Sequence, residues 1–296
     1  MERPTMSIHR LDIGKKHAPL VLLAPAVLFF SLFIAYPIVS SLLLSFQISE
    51  AGQTSFVGFD NYIRLFQDPL FYEAMKNTLI IGVIQTPSVI ILGLLTATLL
   101  NSGLIKLENF FRLTYFTPAV TSLVGASVIF LLLLNQENGL INFLLGLVGI
   151  DSIGWLNTPF WAKLSIILQG TWRWTGYNMV IILAGLQSIS KDLYEAASID
   201  GATKIRQFFS ITIPQLRPVL LFCLIMSTIG SFQLFDEPYI LTNGGPVNAT
   251  TTITMYLYEN GFQFFDFEYA SAIAYVLVGF IALLTYVQFK LGGDKN

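Results

Sequence analysis

The sequence predicts an all-α membrane protein with six transmembrane helices and both termini in the cytoplasm. Composition, the recurrence of long charge-free segments and the distribution of Lys and Arg support this prediction. Of the 296 residues, 54% are hydrophobic and 11% are charged, whereas a soluble domain usually carries about 25% charged residues. The mean hydropathy is +0.67. The chain therefore has too much apolar surface for one aqueous core.

The charge-free segments are long enough to cross a bilayer, since a membrane helix needs about 20 apolar residues. Five segments are charge-free through their centres. The fourth is interrupted by Arg173, and its strongly apolar second half, 176–186, decides its inclusion. We predict spans at 19–46, 78–100, 113–134, 164–186, 217–236 and 269–289, within a single transmembrane domain covering 1–296.

The first segment could be mistaken for a signal peptide, because Arg10, Lys15 and Lys16 precede it. Its charge-free stretch, 18–48, is too long for the apolar region of such a peptide. Pro25 and Pro37 predict one kinked or tilted helix here and not two helices.

Lys and Arg alternate from loop to loop in the pattern typical of an even number of spans. Twelve lie before the first span, in 101–112, in 187–217 and after the last span. The opposite loops hold Arg64 and Lys76, and none occurs in 136–162 or 236–268. Because Lys and Arg concentrate in short cytoplasmic loops, both termini are predicted to be cytoplasmic.

No catalytic, metal or cofactor site is predicted. The sequence contains no GxxxxGK[ST], HExxH or CxxC motif, and His9 and His17 both precede the first span. The single Cys223 lies in an apolar run, so no disulfide framework is expected. A membrane-embedded enzyme is therefore disfavoured, and no nucleic-acid partner is expected.

The loop 188–217 is the most informative segment. Ser190 can cap a short helix, Asp192 is favourable in its first turn, and Gly201 permits the turn that ends it. A second amphipathic segment follows, and Pro214 shapes the entry to the fifth span. Its apolar side is predicted to contain Ile205, Phe208, Phe209 and Ile211.

Residues 195–214, EAASIDGATKIRQFFSITIP, resemble the cytoplasmic EAA loop of permeases in binding-protein-dependent ABC importers. Ile213 stands where Leu is usual. The outer-loop segments Gly58–Tyr62 and Leu241–Pro246 are similar to the carbohydrate-uptake branch, the maltose and glycerol-3-phosphate type. The resemblance implies a type I ABC importer permease fold, in the cytoplasmic (inner) membrane of a bacterium or archaeon.

The resemblance also implies partners and a coupling element. The partners are a second homologous permease, two cytoplasmic ATPase subunits, an extracytoplasmic solute-binding protein and membrane lipid. ATP and Mg would bind to the ATPases, and this chain would hold no cofactor. The residues assigned by resemblance to ATPase coupling are Glu195, Ala196, Ala197, Asp200, Gly201 and Pro214.

Polar and aromatic side chains in the fourth and fifth spans are candidates for a sugar path, because such groups at membrane depth are usually functional. The candidates are Trp174, Tyr177, Asn178, Ser231, Gln233, Phe235 and Asp236. Other interpretations stay open: an aromatic belt for Trp174, snorkelling of Arg173, a helix–helix hydrogen bond for Asn178, and an outer-surface position for Asp236.

The alternative function is an ion-gradient-driven secondary transporter that acts alone. It predicts paired acidic residues in mid-span, but the first, second, third and sixth spans contain no Asp or Glu.

Overall fold

The computed structural model describes residues 18–50, 53–103 and 105–293 of the chain. The N-terminal charges at 3, 10, 15 and 16, both histidines and Lys295 lie outside these residues. The fold is helical apart from a short hairpin. Its elements are α1 Ala18–Phe30, α2 Tyr36–Leu44, β1 Gln47–Glu50, β2 Gln53–Phe56, α3 Asp60–Gln67, α4 Pro69–Asn101, α5 Glu108–Val120, α6 Leu123–Leu133, α7 Leu140–Leu147, α8 Pro159–Gln187, α9 Lys191–Ile199, α10 Lys204–Gln207, α11 Ile213–Phe232, α12 Asp236–Thr242, α13 Ile253–Tyr258 and α14 Phe267–Gly292.

Helices α1 and α2 form one continuous helical segment joined by a π turn, Ser31–Ala35. Pro37 has no N–H to donate to the carbonyl four residues earlier, so the hydrogen-bond ladder widens there. A second π turn, Phe208–Thr212, precedes Pro214 in the same way. The prediction of one bent helix at the N-terminal end of the described chain agrees with this geometry.

The hairpin was not predicted, and the Gly58–Tyr62 motif explains how it is held. Asn61 donates hydrogen bonds from Nδ2 to the carbonyl oxygens of Ser45 and Gln47, at 3.0 and 2.8 Å. The Tyr62 hydroxyl lies 2.7 Å from Ser45 Oγ. Gly58 has φ +62°, a conformation that glycine adopts readily. The motif therefore anchors the hairpin to the end of α2.

Helices α4, α8 and α11 pack at the centre of the molecule. Their contact contains the buried side chains Ala97, Met179, Ile182, Leu183 and Leu216. Small residues allow a close approach: a Cβ on Gly93 would lie 3.1 Å from Asn178 Cβ. Close approach through glycine is the usual way in which membrane helices associate.

The third predicted span, 113–134, is not one straight helix. Helices α5 and α6 are bent by 98° relative to each other. Thr121 and Ser122 are non-helical at the break, and Ser122 Oγ accepts a hydrogen bond from the Gly125 N–H at 3.4 Å. Ser122 is the N-cap of a new helix, which begins α6 in a different direction.

Within the described residues, four helical segments are long and apolar enough to cross a membrane: Leu22–Leu44, Pro69–Asn101, Lys204–Phe232 and Phe267–Gly292. The bent pair α5 and α6 would make a fifth. Helix α8 occupies the fourth predicted span but is more polar, because it carries Lys163, Gln169, Arg173 and Asn178.

A hydrogen-bonded cluster joins the starts of α4 and α14. Asp68 caps α4 by accepting from the Leu70 N–H at 2.8 Å, and it also accepts from the hydroxyls of Tyr256 and Tyr269. Arg64 pairs with Asp266 at 2.8 Å and lies over the Tyr269 ring. We call Arg64, Asp68, Tyr256, Asp266 and Tyr269 the outer cluster. Burial, followed by its contact with Asp68, raises the pKa of the Tyr256 phenol.

Candidate functional site: a central cavity and an exposed loop

A cavity of about 330 Å³ lies among α4, α8 and α11. This volume is within the range of ligand pockets in proteins. Helix α8 contributes Trp174, Tyr177 and Asn178, and α11 and the residues after it contribute Ser231 and Gln233. The structure therefore brings together five of the seven residues that the sequence analysis proposed for a sugar path. Further lining residues are Gln85, Thr86, Val89, Met226, Ser227, Ile229, Gly230 and Leu234.

The α8 residues that line the cavity contact one another. The rings of Trp174 and Tyr177 meet edge to face, with centroids 5.9 Å apart. Asn178 is buried, and its Nδ2 donates to the Trp174 carbonyl oxygen at 3.1 Å. Ser227 on α11 donates to Asn178 Oδ1 at 3.5 Å. Asn178 therefore both lines the cavity and joins two helices.

Phe235 and Asp236 lie outside this cavity. Phe235 stacks on Tyr239, with ring centroids 5.1 Å apart, and also contacts Tyr258. Asp236 begins α12 and is half-buried. Both residues belong to the segment that follows α11. They do not line the cavity, although they are close to Gln233 in the sequence.

The contribution of α4 to the cavity was not predicted from the sequence. Gln85 and Thr86 precede Pro87 in the middle of this helix, and both are buried. The signal was present in the sequence, because two adjacent polar residues interrupt an otherwise apolar, charge-free segment.

Arg173 does not snorkel, because its side chain is only 4% exposed. It donates from Nη2 to the carbonyl oxygen of Thr121 at the break between α5 and α6. The guanidinium also lies 5.6 Å from the Trp174 ring centroid. Burial raises the pKa of the Glu237 carboxyl, and the charge of Arg173 partly opposes that rise.

The loop after α8 folds as a short helix followed by a turn. Ser190 caps α9, and its Oγ accepts from the Asp192 N–H at 3.3 Å. Gly201 has φ +77°, and a Cβ added there would meet no atom of the described chain within 4 Å. Gln207 donates from Nε2 to Ser198 Oγ at 2.8 Å and to the Ala202 carbonyl oxygen at 3.1 Å. These bonds close the loop into a compact unit.

Helix α9 has no buried residue, and Glu195, Ala196 and Asp200 are exposed. Large apolar side chains beside it are exposed as well: Ile199 is 87% exposed and Ile205 is 73% exposed. Of the four residues predicted to form the apolar side of the following segment, Ile205 and Phe209 are exposed, whereas Phe208 and Ile211 are half-buried.

Comparison with known proteins places this architecture in a family. Residues 89–291 match the family described as the binding-protein-dependent transport system inner membrane component. The chain is 44% identical to the lactose transport system permease protein LacF of Rhizobium radiobacter, over 92% of this chain and 93% of that relative. It is 40% identical to the arabinooligosaccharides transport system permease protein AraP of Bacillus subtilis, over 96% of this chain and 91% of that relative.

The fold also matches a solved structure. A chain of a bacterial ABC transporter involved in the import of the acidic polysaccharide alginate superposes with a TM-score of 0.84 and 24% identity, over 94% of this chain and 96% of that one. The expectation of an ABC importer permease is confirmed, and the alternative of a secondary transporter is not supported. The chain belongs to the family of inner membrane components of binding-protein-dependent transport systems, and it is a transporter subunit and not an enzyme.

Proposed function

We propose that this chain translocates a sugar or oligosaccharide through the cavity among α4, α8 and α11. The observation that carries the proposal is the lining of that cavity, where aromatic rings, amides and hydroxyls occur together. Sugars present apolar C–H faces to aromatic rings and hydroxyl groups to amides. Permeases named for lactose and arabinooligosaccharides are 44% and 40% identical to this chain, so a lactose-like disaccharide is the first substrate to test.

The proposed topology has six spans and cytoplasmic termini. In it, α8 is the fourth span, and its polar residues are tolerated because they face other helices and the cavity. Gln169, Arg173 and Asn178 are all buried. Helices α5 and α6 form a broken third span, and Arg173 donates hydrogen bonds to the carbonyl oxygens of residues 119 and 121 at the break. The proposed cellular location is the cytoplasmic membrane of a bacterium or archaeon.

The proposed coupling element is α9 with the turn at Gly201. Its residues are Glu195, Ala196, Ala197, Asp200 and Gly201, and Pro214 fixes the start of α11. The exposure of α9 and of Ile205 supports this role, because a docking helix must keep its contact surface free. The partner would be a cytoplasmic ATPase that binds ATP and Mg.

The proposed assembly has two permeases, two ATPase subunits and an extracytoplasmic solute-binding protein. Closure of the ATPases on ATP would move α9 as a rigid body. Because Tyr194 on α9 lies 2.9 Å from Thr212 Oγ1 beside α11, that motion would pass to a helix that lines the cavity. Rigid-body motion of packed helices is a common route for such transitions.

Reconstitution tests the proposal. This chain is placed in vesicles with its partner permease, ATPase and binding protein, and uptake of radiolabelled lactose is measured with and without ATP. We expect uptake only with ATP, and about tenfold or greater loss in Trp174→Ala, Tyr177→Ala, Asn178→Ala or Gln233→Ala, since tenfold corresponds to about 1.4 kcal/mol. Copurification of the ATPase should be unchanged.

Trp172→Ala is the matched control. Trp172 lies on the same helix, is 45% exposed and packs against Phe130, but it does not line the cavity. Uptake independent of ATP would reject the importer assignment. Normal uptake in all four cavity variants would place the path elsewhere, as in the partner permease.

A further inference from the structure

Among the described residues that line the cavity, Gln85 is the one with a buried side-chain polar atom that has no hydrogen-bond partner. It lies on α4, lines the cavity and is 6% exposed. Its Oε1 is buried without a hydrogen-bond partner, and no side-chain hydrogen bond of Gln85 occurs among the described residues. Buried amides in proteins are nearly always hydrogen-bonded, so this one requires an explanation.

Gly170 on α8 provides the space in which the Gln85 amide lies. The three atoms nearest to a Cβ built on Gly170 all belong to that amide, with Cδ at 2.7 Å and Oε1 at 2.9 Å. An alanine at 170 would therefore displace the amide. The backbone of one helix fixes the position of a polar group carried by another.

Other buried amides of the molecule differ from Gln85. Gln169 also has an unpaired Oε1, but its Nε2 donates to Ser127 Oγ at 2.7 Å, and it does not line the cavity. Asn77 donates to the carbonyl oxygens of Asn248 and Thr251. These two side chains hold helices and loops together, whereas Gln85 holds nothing in the described chain.

An apolar residue of the same length would fill the site of Gln85 without leaving an unpaired polar group. Stability therefore does not account for an amide here, but a ligand does, because a sugar hydroxyl in the cavity can accept a hydrogen bond from Nε2 of that amide. We infer that Gln85 is a specificity-determining residue that binds a hydroxyl group of the translocated sugar, with Gly170 setting the position of its amide. This inference rests on the proposed function.

Gln85→Met tests it, since methionine keeps the length of the side chain and lacks the amide. Uptake of lactose and of a set of monodeoxy-lactoses is measured in the reconstituted importer, with the same binding protein throughout. In the wild type, we expect one deoxy analogue to be transported about tenfold less well than lactose. In Gln85→Met, lactose and that analogue should be transported equally, and the Tm of the purified complex should not fall.

A double-mutant cycle tests the role of Gly170. Gly170→Ala should raise the KM for lactose when Gln85 is present, because the amide is displaced. In a Gln85→Ala background, Gly170→Ala should cause no further change in the KM, since no amide remains to be displaced. Gln169→Met is the matched control, and it should lower the Tm while the preference for lactose over the analogue persists.

The preference between lactose and its deoxy analogue decides the outcome, whatever happens to the Tm. If Gln85→Met keeps the wild-type preference for every analogue, Gln85 is a packing residue and the inference is wrong. If Gln85→Met keeps that preference but Trp174→Ala and Asn178→Ala lose uptake, the proposed role of the cavity in sugar transport still stands. If the wild-type assembly imports no sugar, the proposed function fails first.

Discussion

Arg173 on α8 donates a hydrogen bond of 2.7 Å to the carbonyl oxygen of Thr121, at the break between α5 and α6. A longer bond of 3.4 Å reaches the carbonyl oxygen of Ala119. These carbonyls have lost their helical partners because the chain turns by 98° at this point. One buried guanidinium therefore donates the hydrogen bonds that these two carbonyl oxygens do not receive from the local backbone.

Arg173→Met should destabilise the protein. The change leaves two carbonyl oxygens at the bend without their donor and removes the positive charge near Glu237. We expect the free energy of unfolding to fall by about 2–4 kcal/mol, since hydrogen bonds from charged groups contribute about 1.5–3 kcal/mol each. Thermal unfolding of the purified protein in detergent measures this loss.

Arg112→Met is the control for the loss of a cation. Arg112 pairs with Glu108 one helical turn away at 3.6 Å, and both side chains are well exposed. Such a pair contributes only about 0.3–0.5 kcal/mol. Equal effects of the two substitutions would show that Arg173 does not support the bend.

Gly201→Asp and Glu195→Lys should uncouple the permease from its ATPase. The first adds bulk and a negative charge to the proposed docking surface, at a position of positive φ where a side chain costs about 1 kcal/mol, or less for Asp and Asn. The second inverts an exposed charge. Both should reach the membrane normally and lose ATP-driven uptake, which is measured beside copurification of the ATPase.

Gly201→Asn separates the two effects of a side chain at this position. Asn tolerates positive φ better than most residues, and a Cβ here meets nothing in the described chain. Loss of ATPase binding in this variant would therefore come from the partner surface. Wild-type binding and uptake in Gly201→Asp and Glu195→Lys would show that the loop is not the coupling element.

Asp68→Ala should weaken the outer cluster. It removes the cap of α4 and the acceptor of two tyrosine hydroxyls. A lost cap costs about 1 kcal/mol, and the hydrogen bonds to a carboxylate add to this, so we expect a loss of about 2–4 kcal/mol. Asp60→Ala is the control, because Asp60 is exposed and makes no side-chain hydrogen bond among the described residues. A Tm shift no larger than that of the control would contradict the assignment.

Cysteine labelling tests the six-span topology. The native Cys223 is 1% exposed, so background labelling should be low. Cysteines at Lys106 and Lys204 should react from the cytoplasm, and cysteines at Gln53, Asn157 and Asn248 should react from outside. Position 15 should also be cytoplasmic, although it lies outside the described residues. Labelling of positions 204 and 248 from the same side would refute the six-span topology.

The sequence was sufficient for features that depend on local chemistry. Ser190 precedes α9 and Gly201 follows it, as expected, because a cap and a positive-φ turn are properties of single residues. Trp174, Tyr177 and Asn178 reach one cavity because they lie one turn apart on one helix. Family membership followed from a motif with fixed spacing.

The sequence was insufficient where distant segments meet. The role of Gln85 depends on Gly170, which is far along the chain on another helix. The bend after Val120 is stabilised by Arg173 on another helix. The charge-free segment around the bend does not reveal that contact, so the sequence predicted one span there. The hairpin needs donors from Asn61, and periodicity in residues 47–56 does not reveal them.

The outer cluster also constrains when the protein can complete its fold during synthesis. Arg64 and Asp68 need Asp266 and Tyr269, which leave the ribosome about 200 residues later. Asn77 and Thr78 similarly wait for the segment 248–253. Until the last helix enters the membrane, the start of α4 therefore lacks these partners within the protein, so this end of the fold is completed late in synthesis.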